Sequence, residues 1–134
     1  MPPLAREGVD IYLLRHGETV WNRERRVQGH RDSPLTALGI GQARRMGARL
    51  ADLLRPRDSY RLLSSPLGRA LHTATIVAGV LGRPAQAIAT DDRLKEMGWG
   101  RWDGMTATEI EAQDPELWQA RIEDRWTRPP PGGG

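Results

Sequence analysis

The sequence predicts a three-layer α/β/α domain on a mainly parallel sheet. Two features carry that expectation. Short apolar runs alternate with longer segments of helical period in the order strand, helix, strand, helix, strand, which is the pattern of βαβ units. The first run ends directly in Arg15-His16-Gly17-Glu18-Thr19, with Asn22 close behind, and ligands of open α/β sheets sit beyond the carboxyl ends of such strands.

Val9, Ile11 and Leu13 alternate with Asp10, Tyr12 and Leu14, so the run from Val9 to Leu14 is expected to be a largely buried strand. A charged, turn-rich loop follows through Arg23, Arg25, Arg26, Gln28, Gly29, Asp32 and Pro34. Thr36 is expected to cap a helix with Ile40, Ala43, Gly47, Leu50 and Leu54 on its buried stripe, ended by Pro56. Tyr60 to Leu63 reads as a second strand. Ser64-Ser65-Pro66 is expected to open a second helix, with the proline in its first turn, Ala70, Ala74, Val77 and Leu81 buried, and Gly82 at its end. A third strand is expected at Ala85 to Ala89. Beyond Trp99 come a helix at Thr106 to Ala112, with Thr106 and Glu109 as a reciprocal cap, and another from Pro115 to Ile122. The closing Pro129-Pro130-Pro131-Gly132-Gly133-Gly134 has the composition of a connector, which leaves either a disordered end or a chain cut short.

The 134 residues hold no cysteine, which removes disulfides, thiolate chemistry and sulfur-ligated metals from consideration. No apolar stretch has the length of a signal peptide core or a membrane span, so a soluble cytoplasmic protein without membrane partners is expected. The net charge is +3, and all of the 20 basic residues except Lys95 are arginine. Arginine's planar fork suits phosphate, but 17 acidic residues are interleaved with the basic ones, a mixed surface rather than a nucleic-acid footprint.

Three clusters carry chemistry. In the first, the His16 imidazole can attack phosphorus through one ring nitrogen while the other donates to a fixed acceptor. Gly17 lets backbone amides approach phosphoryl oxygens, Arg15 offers a bidentate clamp, and Asn22 adds a neutral donor. The second, Ser64-Ser65-Pro66-Leu67-Gly68-Arg69-Ala70, puts Arg69 on the first turn of a helix after a parallel strand, where free amides and the helix dipole favour an anion. The third runs from Leu94 to Gly104. A phosphomonoester's leaving alkoxide needs a proton, and Glu96 is the candidate donor there. Trp99 and Trp102 read as packing residues, His30 as an exposed loop residue, and His72 as a residue without a role. No histidine pair has metal-ligand spacing, so neither metal nor cofactor is expected.

Together these residues resemble the histidine phosphatase superfamily, the phosphoglycerate mutase-like proteins. The match runs through Leu13 to Asn22, Gln28 to Thr36 with Gly39 and Gln42-Ala43, Ser64 to Ala70 with Thr73-Ala74, and Glu96 to Gly104. The resemblance implies metal-free phosphoryl transfer, with His16 as the nucleophile that becomes phosphorylated, Arg15 and Arg69 as phosphate clamps, and Glu96 as proton donor. Gly17, Asn22, Gln28 and Gly29 would line the substrate side. The segment from Gly98 to Gly104 is more similar to the phosphatase branch, implying hydrolysis of small phosphomonoesters, than to the glycolytic mutases. A mutase-type isomerase and a non-catalytic phospholigand-binding or regulatory module are the alternatives. The expected partner is a small phosphorylated metabolite, with a homo-oligomer left open. The resemblance also implies a second histidine, followed by glycine, after a later strand. This chain has none after His72, so residues 1–134 are expected to be one such domain, truncated, incomplete at its C-terminal side and of low activity as it stands.

Overall fold

The computed structural model describes residues 8–55 and 59–134. Pro56, expected to end the first long helix, lies outside the described residues, as does most of the segment before Asp10. The elements are α1 (Val20–Arg23), α2 (Ala37–Leu53), β1 (Leu62–Ser64), α3 (Gly68–Val80), β2 (Ile88–Thr90), α4 (Ala107–Gln113) and α5 (Pro115–Glu123), with single 3₁₀ turns between some of them. β1 and β2 pair in parallel, Leu63 opposite Ala89, and α3 makes the crossover between them. The α/β class holds, with a small parallel sheet. The third strand starts later than expected because Ala85–Ala87 closes a 3₁₀ turn before Ile88 becomes extended.

The run from Val9 to Leu14 departs from expectation. It belongs to no strand ladder among the described residues, and Val9, Ile11 and Leu13 are 88%, 84% and 93% exposed. Alternation marks a face that favours burial, but a strand exists only when a second backbone lies alongside to pair with it, and among the described residues β1 and β2 pair only with each other.

Where caps are local, the helices form as their residues dictate. Thr36 accepts a hydrogen bond from the Gly39 amide at the start of α2 (3.1 Å), and Thr106 and Glu109 close a reciprocal box at the start of α4. Pro115 occupies the first turn of α5. A further box, unanticipated, joins Thr19 and Asn22 around the single turn of α1: the Asn22 amide donates to Thr19 Oγ1 and the Thr19 amide to Asn22 Oδ1 (3.0 Å). α3 begins later than Pro66. Its first amides, Gly68 and Arg69, donate to the carboxylate of Asp32, so a residue remote in sequence sets its start.

α2 packs on α3, with Gly47 against the Val80 side chain, and Ala43 and Leu50 of α2 and Val77 and Ala78 of α3 are buried. A second core forms around Trp102, fully buried, with Ile110 and an edge-to-face contact to Trp118 at 5.8 Å. The indole N–H of Trp102 donates to Asp114 Oδ2 (2.7 Å). The final segment is packed, not disordered: Pro130 is buried, the Arg101 amide donates to the Pro131 carbonyl (3.1 Å), and Gly98 and Gly134 exchange amide-to-carbonyl hydrogen bonds. No helix among the described residues is long and apolar enough to cross a membrane.

One close approach positions the site. A Cβ on Gly39 would sit 2.1 Å from the Glu18 carbonyl oxygen, so the start of α2 lies directly on the backbone after His16. The Thr36 amide donates to that same carbonyl (2.9 Å). Alanine improves helix propensity by about 1 kcal/mol, but forcing these backbones apart costs more. Gly39→Ala is expected to lose about 2 kcal/mol, a Tm lower by roughly 8 °C. Gly41→Ala, whose Cβ would meet only Arg45 Nη1 at 3.4 Å, is the control and should hold or raise Tm. Equal thermal melts for the two variants would refute the argument.

Candidate active site

His16 emerges half-buried at the end of the extended first segment. Its Nδ1 lies 2.8 Å from the Gly17 carbonyl oxygen. A carbonyl only accepts, so the neutral ring carries its proton on Nδ1 and its lone pair on Nε2. Burial lowers the imidazole pKa from the ordinary 6.5, and the positive charges of Arg69 and Arg15 lower it further, against the opposing pull of the Gly17 hydrogen bond and Glu96. The amide of Gly17 donates to Thr73 Oγ1 (3.0 Å), and Thr73 donates to the Arg69 carbonyl one turn back on α3 (2.8 Å). One buried hydroxyl therefore ties the imidazole's backbone to the helix that carries Arg69.

Arg69 is 3% exposed. Its Nη1 donates to the Arg31 carbonyl and to Asp32 Oδ1, both at 2.8 Å, and its Nη2 to the Gly29 carbonyl (2.7 Å) and Glu96 Oε2 (2.8 Å). The expectation of an anion at the start of this helix is met from within the chain, because the Asp32 carboxylate accepts from the Gly68 amide at 2.6 Å. The amides expected to be free for a ligand are thus occupied. The positive charge of the guanidinium still acts on His16, as does that of Arg15.

Gly29 contributes its carbonyl, and its left-handed backbone (φ 56°) passes where a Cβ would lie 2.8 Å from the Trp99 amide nitrogen. Gln28 is buried, its Oε1 accepting from Thr19 Oγ1 and Ser33 Oγ, both at 3.0 Å, so its carbonyl end braces the loop from inside. Asn22 Oδ1 is committed to the α1 cap. Arg15 is exposed beside His16 and makes no hydrogen bond or ion pair among the described residues. Glu96 accepts on both oxygens, from Arg69 and from the Trp99 indole N–H (2.9 Å). His30 and His72 are both exposed.

The structure therefore brings His16, Gly17, Arg69, Gly29 and Glu96 into one centre. Asp32, Thr73 and Trp99 join it without having been anticipated. Asp32 and Thr73 lie within matched motifs, but only a contact through space reveals what they hold.

A neutral imidazole with its lone pair on Nε2, set beside a buried guanidinium on an α/β scaffold, is a centre suited to phosphoryl transfer. Over residues 11–134 the chain matches the family model of the histidine phosphatase superfamily (branch 1), and it belongs to that superfamily. A relative from Salmonella paratyphi C, "Probable phosphoglycerate mutase GpmB", is 47% identical over 92 residues, which are 69% of this chain and 40% of the relative. Bacillus stearothermophilus YhfR superposes with a TM-score of 0.75 at 41% identity, covering 89% of this chain and 55% of YhfR. The mycobacterial glucosyl-3-phosphoglycerate phosphatase solved with VO3 also superposes with a TM-score of 0.75, at 35% identity, covering 88% of this chain and 53% of that enzyme. The chain spans about half the length of the curated relatives it matches.

Proposed function

We propose that the protein transfers a phosphoryl group from a small phosphomonoester to His16 and then to water, without a metal or other cofactor, in the cytoplasm. The observation that carries this reading is the His16–Gly17 hydrogen bond, which fixes the tautomer that attacks through Nε2. Nε2 forms a bond to phosphorus as the ester P–O bond breaks, its electron pair going to the leaving oxygen. Glu96 gives that oxygen a proton and becomes a carboxylate. In the second half-reaction, water attacks the phosphohistidine, Glu96 takes up the water's proton, and His16 leaves as the neutral base. Arg69 and Arg15 hold the phosphoryl oxygens. An incoming phosphate dianion competes with Glu96 for Arg69 Nη2 and frees the carboxyl group to face the ester oxygen. Gly17 offers a small backbone beside the phosphoryl group, and Asn22, Gln28 and Gly29 border the substrate side.

The names of the curated relatives favour a second reading, a mutase that returns the phosphoryl group to its product. Solved structures of phosphatases at comparable identity support hydrolysis. Incubating the full-length protein with 3-phosphoglycerate, and following free phosphate and 2-phosphoglycerate together, separates them. Predominant release of phosphate is expected; predominant isomerisation would overturn the hydrolytic reading. Vanadate binding that depends on Arg15 and Arg69, without turnover of any ester, would point instead to a phospholigand-binding module.

A further inference from the structure

We infer that Trp99 is a positioning residue for the Glu96 carboxyl group, and that Arg121 and the final segment brace it from behind. The inference deepens the proposal above and rests on Glu96 as the proton donor. The Glu96 side chain is 42% exposed and would sample several rotamers if left alone. Two donors hold it, one on each oxygen: Arg69 Nη2 on Oε2 at 2.8 Å and Trp99 Nε1 on Oε1 at 2.9 Å. The first of these is the donor that a substrate phosphate would claim. The indole N–H is then what keeps Glu96 over the leaving group. It also sorts the two oxygens, because an indole N–H only donates. Oε1 must remain an acceptor, so the transferable proton resides on Oε2, the oxygen on the Arg69 side.

Trp99 itself is fixed from three directions. Arg121 lies over its ring at 5.0 Å. That guanidinium is buried, and among the described residues it pairs with no carboxylate; it donates to the carbonyls of Arg125 and Arg128 and contacts Met97 Sδ. A buried cation without a counter-ion gains from the electron-rich aromatic face, so the stacking stabilises both partners. On the chain flanking Trp99, Gly98 exchanges hydrogen bonds with Gly134, and the Arg101 amide is held by Pro131. The Trp99 amide donates to Asp103 Oδ1 (3.3 Å). α5 and the closing segment thus form a bracket whose forward end is one indole N–H aimed at Glu96.

Trp99→Phe keeps an aromatic face for Arg121 and removes only the donor. The test compares it with Glu96→Gln and the unaltered full-length protein, reading kcat/KM on two esters. p-Nitrophenolate leaves without a proton, whereas glycerol phosphate must release an alkoxide. Because kcat/KM reports only the steps up to phosphorylation of His16, Glu96→Gln is expected to lose about 100-fold in it on glycerol phosphate and far less on p-nitrophenyl phosphate, while dephosphorylation slows for both. Trp99→Phe should lose about tenfold on glycerol phosphate and under about twofold on p-nitrophenyl phosphate, the leaving-group dependence that a merely structural defect would not produce. Equal losses of Trp99→Phe on both esters, or none on either, while Glu96→Gln keeps its dependence, would overturn the inference and leave the proton-donor reading intact. Equal losses of Glu96→Gln on both esters would overturn that reading and this inference with it. A readout independent of turnover is the Trp99 indole resonance in a ¹H–¹⁵N spectrum, assigned by its disappearance in Trp99→Phe. It should move in Glu96→Gln and stay in Glu111→Gln; an unmoved resonance in Glu96→Gln refutes the contact.

Discussion

His16→Ala is expected to abolish covalent labelling of the full-length protein by a phosphodonor and to lower its phosphatase rate by about four orders of magnitude. The size of the effect follows from what the ring does. In the proposed reaction it is the group whose lone pair becomes the bond to phosphorus, whereas His30 and His72 are both exposed. The fold should hardly notice: the imidazole is half-buried and its one hydrogen bond is to the adjacent Gly17 carbonyl, a net contribution of about 1 kcal/mol. Unchanged thermal unfolding alongside lost labelling is therefore the expected pair of results. The label's pH dependence follows from the lowered imidazole pKa. Burial first, then Arg69 and Arg15, disfavour the imidazolium, so the ring is mostly neutral at pH 7 and takes up its second proton below the ordinary 6.5. Labelling should be kept at neutrality and fall as the pH drops through the lowered imidazole pKa, below the ordinary 6.5. A His16→Ala protein that keeps its rate, or labelling that already collapses near pH 7, would contradict the assignment.

His16 stands out in the sequence as the candidate nucleophile because its context is local: a glycine follows it, and an arginine precedes it. The same holds for the helices with nearby caps, at Thr36, at Thr106 with Glu109, and at Pro115. Part of what escaped was set by contacts far apart in the chain. α3 begins at Gly68 rather than near Pro66 because the carboxylate of Asp32 receives its first amides. The alternation of Val9, Ile11 and Leu13 reads as a buried strand, but all three are exposed and unpaired among the described residues: a ladder needs a partner backbone, which no periodicity reports. Asn22 drew a ligand-binding expectation, although its distance from Thr19 also fits a capping box, which is where its Oδ1 is engaged. Trp99 was expected to pack. It does, against Arg121, while its one polar atom serves Glu96. The closing proline and glycine residues have a connector's composition and still dock, because carbonyls of that segment and amides around Gly98 and Arg101 satisfy one another.

Arg69→Met is expected to cost both activity and stability, and the ratio between them reports the two tasks of the side chain. As the proposed clamp, the guanidinium would neutralise charge on the transferring phosphoryl group; losing such a donor costs about 10²–10³ in kcat, and here a full charge goes with it. As a strut, it joins Gly29, Arg31, Asp32 and Glu96 through four hydrogen bonds at 2.7–2.8 Å. Removing one partner of a buried ion pair can cost 3–5 kcal/mol when the other is left dry. Asp32 and Glu96 are 33% and 42% exposed and regain water, so roughly 2 kcal/mol is the expected loss. Arg69→Lys separates the tasks. It keeps the charge, so most of the phosphate's electrostatic stabilisation survives, but a single ammonium cannot span carbonyls and carboxylates on opposite sides as the planar fork does. Arg69→Lys should therefore retain more kcat/KM than Arg69→Met while melting almost as early. Thermal melts and kcat/KM measured on the same three proteins decide the matter: if Arg69→Lys retains no more kcat/KM than Arg69→Met, the charge at this position does not stabilise the transferring phosphoryl group, and its place as an electrostatic clamp is lost.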